Sequence, residues 1–355
     1  MFKKIISWIL LIIIPVTLII GIIAVVELYC GYSYYKYRDT LKNELNAIRL
    51  REPFHNQNNS GFHHGEKFLF RTDSEGYILP YRNIDSSNHT VAFIGGSTTE
   101  CHVVDENIRV HRSVERILNA KGKRVTCLNI GNSGNHSMHS LNILANKVMK
   151  HSPEVVVVNH NVNDLSILLN TGTYFNKHPQ RSLLLENSES LYAYKVGLPK
   201  NKFIRTFFPY ISLVLLPTTF DGERLIEQDE FPSGPISFDL TKQFLKNEFR
   251  KSITGLIAYA KAWQVKPILM TQGSCFSYGI KNIDRYDGYD LVLLHQEFNK
   301  VIREVAIREE VELVDAELLM KGNKAYFFDS VHYTDSGSVF ISKYISKSIQ
   351  KLIEN

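Results

Sequence analysis

The stretch Thr90-Val91-Ala92-Phe93-Ile94-Gly95-Gly96-Ser97-Thr98-Thr99 decides how the rest of the chain is read. An uncharged, β-prone pentapeptide makes a buried strand, and two glycines then allow a sharp turn that ends on a serine. Alone, such a turn is commonplace. Its weight comes from the pattern around it.

Working outward, the chain alternates strands with helices. Apolar residues at helical spacing cover 109–120, and Arg124–Ile130 reads as a second strand. A helix follows over roughly 138–151, with Leu141, Leu144, Ala145 and Val148 on one face. Pro153 ends it, and Glu154-Val155-Val156-Val157-Val158 is a third strand. Helices at 241–262, 289–309 and 336–352 then alternate with strands at 266–271 and 311–315. This rhythm predicts an α/β fold, a three-layer α/β/α sandwich of about five parallel strands over residues 90–355.

Residues 165–240 break the rhythm. They include the apolar run Phe207–Pro217, which is too short to span a bilayer. So long an insertion reads as a lid, a membrane-resting surface or a second small core packed on the sheet. Residues 27–89 form a juxtamembrane helix to about residue 50 and then a polar, loop-rich lead-in.

Ile5–Val26 holds 22 residues without a charge, enough helix to cross the ~30 Å hydrocarbon core of a bilayer. Lys3 and Lys4 within residues 1–4 favour a cytoplasmic N-terminus with the body exported, while Lys36 and Arg38 weaken that asymmetry. A cleaved signal peptide would have an apolar region of about 7–15 residues closed by small residues. Here the run is longer and passes into an aromatic cluster, Tyr29, Tyr32, Tyr34 and Tyr35, suited to the headgroup zone. The expectation is a single-pass membrane anchor with the domain on the extracytoplasmic side.

Four pieces, each at the carboxyl end of a strand, carry the chemistry. Ser97 follows the first strand, where open α/β sheets bind ligands. Gly131-Asn132-Ser133-Gly134-Asn135 follows the second, and a glycine there can present a backbone N–H to a developing oxyanion. Asn161-Val162-Asn163-Asp164 follows the third, and its side-chain amide could donate to the same oxyanion or simply cap a helix. Asp329-Ser330-Val331-His332 lies between the last strand and helix; three-residue spacing lets the carboxylate hold one imidazole nitrogen while the other faces a serine.

This order of blocks resembles the SGNH hydrolases, or GDSL-type esterases, over roughly residues 90–165 and 240–352. The resemblance implies a flavodoxin-like fold with Ser97 as nucleophile and Asp329 and His332 completing a catalytic triad. It implies an oxyanion hole from the Ser97 amide, Gly134 and Asn163, with Gly131 as the alternative to Gly134. The usual Gly-Asp-Ser is Gly95-Gly96-Ser97 here. The Gly-Gly-Ser-Thr-Thr form is similar to that of membrane-anchored members, as is the segment Thr72–Tyr77. The activity implied by the resemblance is that of an esterase acting on an acyl ester without a cofactor; an exported, anchored enzyme of this kind points to acetyl esters of cell-envelope glycans, with lipid or small acyl esters left open. An O-acyltransferase using the same residues is one alternative; a non-catalytic envelope protein retaining the fold is another.

Net charge is +5 with no dense basic block, which gives nucleic-acid binding no support. Cys30, Cys101, Cys127 and Cys275 lack paired spacing, so a zinc ribbon is not expected; one disulfide or buried thiols both remain open. His63 with His64, His136 with His139, and His160 lack the acidic or thiol partners of a metal site. His136 or His160 could line the mouth of the site. The sequons at Asn58, Asn88 and Asn135 matter only in a eukaryotic secretory route.

Overall fold

The computed structural model describes residues 13–33, 57–59, 68–73, 75–82, 88–175, 183, 210, 238–276 and 291–354. Outside these lie Lys3 and Lys4, the start of the apolar run, the juxtamembrane residues 34–50, His63 and His64, and all of Phe207–Pro217 except Tyr210. The chain divides into two compact units. Met1–Ala47 groups with Lys177–Asp229, and Ile48–Asn176 groups with Glu230–Asn355.

In the first unit, helix α1 (Ile13–Ser33) has a mean hydropathy of 2.4, long and apolar enough to cross a membrane. Its large side chains face outward: Leu18 is 62% and Ile20 61% exposed, unlike those of a soluble core helix. The helix runs past Val26, where the apolar run ends, because Glu27 changes polarity without breaking backbone hydrogen bonds. In the same unit the Tyr210 N–H donates to the Glu27 carboxylate at 2.7 Å. The Tyr210 ring lies against Gly31, where a Cβ would come within 3.1 Å of it.

The second unit is built on a five-stranded parallel sheet. A short antiparallel pair, β1 (Gln57–Asn59) and β2 (Phe68–Phe70), lies in the lead-in that reads as loop from sequence. The main strands are β3 (His89–Gly95), β4 (Val125–Asn129), β5 (Val155–Asn159), β6 (Lys266–Met270) and β7 (Glu312–Val314), ordered β4-β3-β5-β6-β7. The order places the chain reversal between β3 and β5, whose carboxyl ends define the crevice where such sheets bind ligands. Gly95 stands opposite Asn159 there.

The sheet is covered on both faces, as its near-continuous apolar strands require. Val155 to Val158 are at most 1% exposed; at ~1.5–3 kcal/mol per fully buried valine this central strand is a main source of stability. Successive residues point to opposite faces. Val91, Phe93, Val155, Val157 and Ile268 join the core beneath α3 (Val110–Ala120) and the C-terminal helix Asp335–Glu354. On the other face pack α4 (Ser137–Ile143), α5 (Val162–Thr171), α6 (Phe238–Ala262) and α7 (Leu291–Arg308), with Phe249 stacked on Phe298 at 4.4 Å.

Two elements differ from expectation. The helix expected over 138–151 is α-helical only to Ile143, then continues as a π turn (Leu144–Val148) and a 3₁₀ turn (Met149–His151). Helix α5 occupies the start of the region read as insertion. Its Leu165, Ile167, Leu168 and Leu169 are all buried, which leaves only a narrow polar strip of Asn163, Ser166 and Asn170. Gly172, at φ +68°, ends it.

Candidate active site

Ser97 opens a single helical turn, α2 (Ser97–Glu100), at the end of β3. Both preceding glycines are closely packed. A Cβ on Gly95 would lie 2.6 Å from the Asn159 carbonyl, and one on Gly96 would lie 2.2 Å from Asn163 Nδ2. The Asn163 amide occupies the space that a side chain at position 96 would take.

The Ser97 hydroxyl is 2.7 Å from His332 Nε2. His332 Nδ1 is 2.6 Å from Asp329 Oδ2, and the other carboxylate oxygen accepts the N–H groups of Val331 and His332, each at 2.9 Å. Burial raises the Asp329 pKa, but the hydrogen bond and charge of His332 and the two backbone donors outweigh it and hold the carboxyl at about 2. The loop is braced by a bridge between Phe327 and Tyr333. Cys275 adds support, its N–H donating to the Ser330 carbonyl and its thiol to that of Asp329, each at 2.9 Å.

The other two blocks close around the same point. Gly131 is packed against the backbone of α2, and its N–H donates to Asn129 Oδ1 at 2.8 Å. That donor is spent internally. Gly134 sits at φ +79°, a left-handed turn that suits glycine. Among the described residues, the N–H groups of Gly134 and Ser97 donate to no other group. Asn163 donates one amide hydrogen to the Asn135 carbonyl at 2.9 Å, which leaves the second for a ligand. The helix-cap alternative for this block does not hold for Asn163. Asp164 instead accepts the N–H of Ser137 at 2.9 Å, at the start of α4, and the Tyr174 hydroxyl at 2.8 Å.

The histidines beside these blocks do not line the mouth. His136 is fully buried and stacked on His139 at 3.8 Å; His160 is 1% exposed, 2.8 Å from Ser140 Oγ and 3.4 Å from Asp164. Burial raises the Asp164 pKa, yet its contacts with His160 and His136 bring it below the ordinary value. Asn135 is also fully buried, and Asn88 nearly so, so neither sequon presents its amide to solvent. All four cysteines are free.

Gln272 is a residue the sequence pattern does not flag. It is 4% exposed at the end of β6. Its Nε2 donates to Thr98 Oγ1 at 2.8 Å and its Oε1 accepts the Val162 N–H at 3.0 Å, so it ties the serine turn to the asparagine turn. Asn299 fixes Gln272 in turn through both backbone groups, each at 2.9 Å. A polar residue following a buried strand is the only signal sequence offers for it.

No protein-family model matches the chain, and no curated protein matches it. Solved structures do. A GDSL-like lipase from Bacteroides thetaiotaomicron is 18% identical with a TM-score of 0.41, covering 74% of this chain and 88% of its own. A lipase/acylhydrolase from Enterococcus faecalis is 15% identical with a TM-score of 0.44, covering 74% and 96%. An acetyl xylan esterase from Geobacillus stearothermophilus is 14% identical with a TM-score of 0.43, covering 75% and 95%. Likenesses of this depth carry no activity across.

Proposed function

We propose that this protein is a serine esterase of the SGNH type, hydrolysing an acyl ester through Ser97, His332 and Asp329. The continuous contact from the Ser97 hydroxyl through His332 to Asp329 carries the reading. His332 Nε2 takes the hydroxyl proton as Ser97 attacks the ester carbonyl. The tetrahedral oxyanion accepts from the N–H groups of Ser97 and Gly134 and from the Asn163 amide, each donor worth ~2.7–4 kcal/mol in the transition state. Collapse returns the proton from His332 to the departing alcohol, and water resolves the acyl-enzyme by the same steps in reverse order. Asp329, ionised at any pH well above 2, holds the imidazole with Nε2 toward the serine and stabilises the imidazolium.

Helix α1 anchors the protein as a single membrane span, with the esterase unit on the extracytoplasmic side. Acetyl esters of cell-envelope glycans are the substrate class that fits this location. The test is turnover of p-nitrophenyl acetate by the full-length protein in detergent, with acetate release from an acetylated glycan measured alongside. Turnover that disappears in Ser97→Ala supports the reading. Equal rates in wild type and variant would remove Ser97 from the chemistry.

A further inference from the structure

The loops that carry Gly134 and Asn163 are not neighbours. Gly134 follows β4 and Asn163 follows β5, and the order β4-β3-β5 puts the serine strand between them. That is two strand spacings, or about 10 Å. Hydrogen bonds within the sheet fix each strand against β3, but they do not set how the loops beyond its edge approach each other. Side-chain contacts cross that gap instead. The Asn163 amide donates to the Asn135 carbonyl at 2.9 Å, yet Asn163 is itself a donor that must be placed. His160 Nε2 lies 2.8 Å from Ser140 Oγ, further along α4. Asp164 makes the contact nearest to both donors. It adjoins Asn163 in the chain and accepts the N–H of Ser137 at 2.9 Å, three residues after Gly134, together with the Ser137 hydroxyl. Asn135, His136 and Ser137 are all fully buried, and the Asn135 N–H donates to the Asn132 carbonyl at 3.0 Å, closing the turn that holds Gly134. A shift of Ser137 therefore passes to Gly134.

Resting on the esterase reading above, we infer that Asp164 is a positioning residue that ties the glycine loop to the asparagine loop and so sets the spacing of the Gly134 and Asn163 donors around the oxyanion. Its surroundings suit a carboxylate. The Tyr174 hydroxyl donates to the same oxygen at 2.8 Å, and His160 Nδ1 faces the second oxygen at 3.4 Å. Hydrogen bonds to an ionised acceptor are shorter and about twice as strong as neutral ones. An amide has the same shape, but one of its two heads donates, so it meets this group of donors with fewer acceptor sites. The two loops are then held less closely. A ground-state carbonyl tolerates such a shift, whereas the tetrahedral oxyanion needs its donors at about 2.7–3.1 Å and does not.

The experiment follows p-nitrophenyl acetate turnover by the full-length protein in detergent, for wild type and Asp164→Asn. Each kcat is expressed per serine labelled at completion by a fluorophosphonate. That normalisation removes any misfolded fraction, so a role in stability alone leaves kcat where it was. Asp164→Asn is expected to lower kcat at least about tenfold, short of the roughly 100- to 1,000-fold cost of losing a donor outright, with KM changed by no more than about twofold. In the Asn163→Ala background there is one donor fewer to place, and the same substitution is expected to cost no more than about threefold. Ser137→Ala keeps the N–H and loses the hydroxyl; it is expected to lower kcat about threefold, and it carries the test if Asp164→Asn yields no labelled protein. A kcat per labelled serine within about twofold of wild type in the variant read, or an equal loss with and without Asn163, overturns this inference and leaves the esterase reading standing. If wild type shows only background turnover and the fluorophosphonate labels no serine on it, the esterase reading fails and this inference with it.

Discussion

Adding one methyl group at Gly96 tests whether the Asn163 amide works on the oxyanion. In Gly96→Ala the new Cβ would stand 2.2 Å from Asn163 Nδ2 and 3.1 Å from the Asn135 carbonyl. The backbone at Gly96, φ −89° and ψ −153°, is open to alanine, so backbone strain plays no part. The amide is the far end of a flexible side chain and yields before the backbone does. The stability cost is then roughly that of its hydrogen bond to Asn135, about 1 kcal/mol. The catalytic cost is larger: one displaced oxyanion donor lowers kcat about 100- to 1,000-fold, or ~2.7–4 kcal/mol. The assay is a double-mutant cycle on p-nitrophenyl acetate with Asn163→Ala. If the methyl acts by pushing the amide aside, Gly96→Ala in the Asn163→Ala background changes kcat by no more than about twofold. Full additivity of the two losses, or an undiminished kcat in the single variant, would refute the reasoning.

Other predictions concern the supports of the site. Asp329→Asn leaves the geometry but not the charge, and kcat should fall about 10⁴-fold with KM little changed. The folded-state pKa of Asp329 is lowered from 3.8 to about 2, so its contribution to stability is present above pH 3.8 and is lost as pH falls towards 2. Urea midpoints of wild type and Asp329→Asn should therefore converge across that window. Gln272→Leu leaves the Val162 N–H unpaired and releases Thr98. It should cost ~1–3 kcal/mol in urea unfolding and, by loosening the serine turn against the asparagine turn, at least about tenfold in kcat.

Much of the scaffold is legible in the sequence because its signals are local. The valine run at 155–158 and the apolar strand before Gly95 read as buried strands, and Pro153 marks a boundary. The pairing of Asp329 with His332 is legible for the same reason, being set by a three-residue spacing. Helix α5 escapes notice because it is apolar on more than one side and comes directly after the asparagine turn. The link from Gln272 to Thr98 spans 174 residues and exists only once β6 lies beside β5. The same holds for the contact between position 96 and the Asn163 amide, which joins the end of β3 to α5. His136 and His160 mislead for a related reason. Their positions beside the second and third blocks suggest the mouth of the site, whereas their burial is a tertiary fact.

The central claim is that Ser97 is a nucleophile activated by His332. The most direct test is the intact mass of the full-length protein after exposure to a fluorophosphonate, for wild type, Ser97→Ala and His332→Ala. One adduct on wild type, mapped to Ser97, with none on Ser97→Ala and strongly slowed labelling of His332→Ala, is the predicted result. Absence of any adduct on wild type, or labelling that persists in Ser97→Ala, would contradict the account.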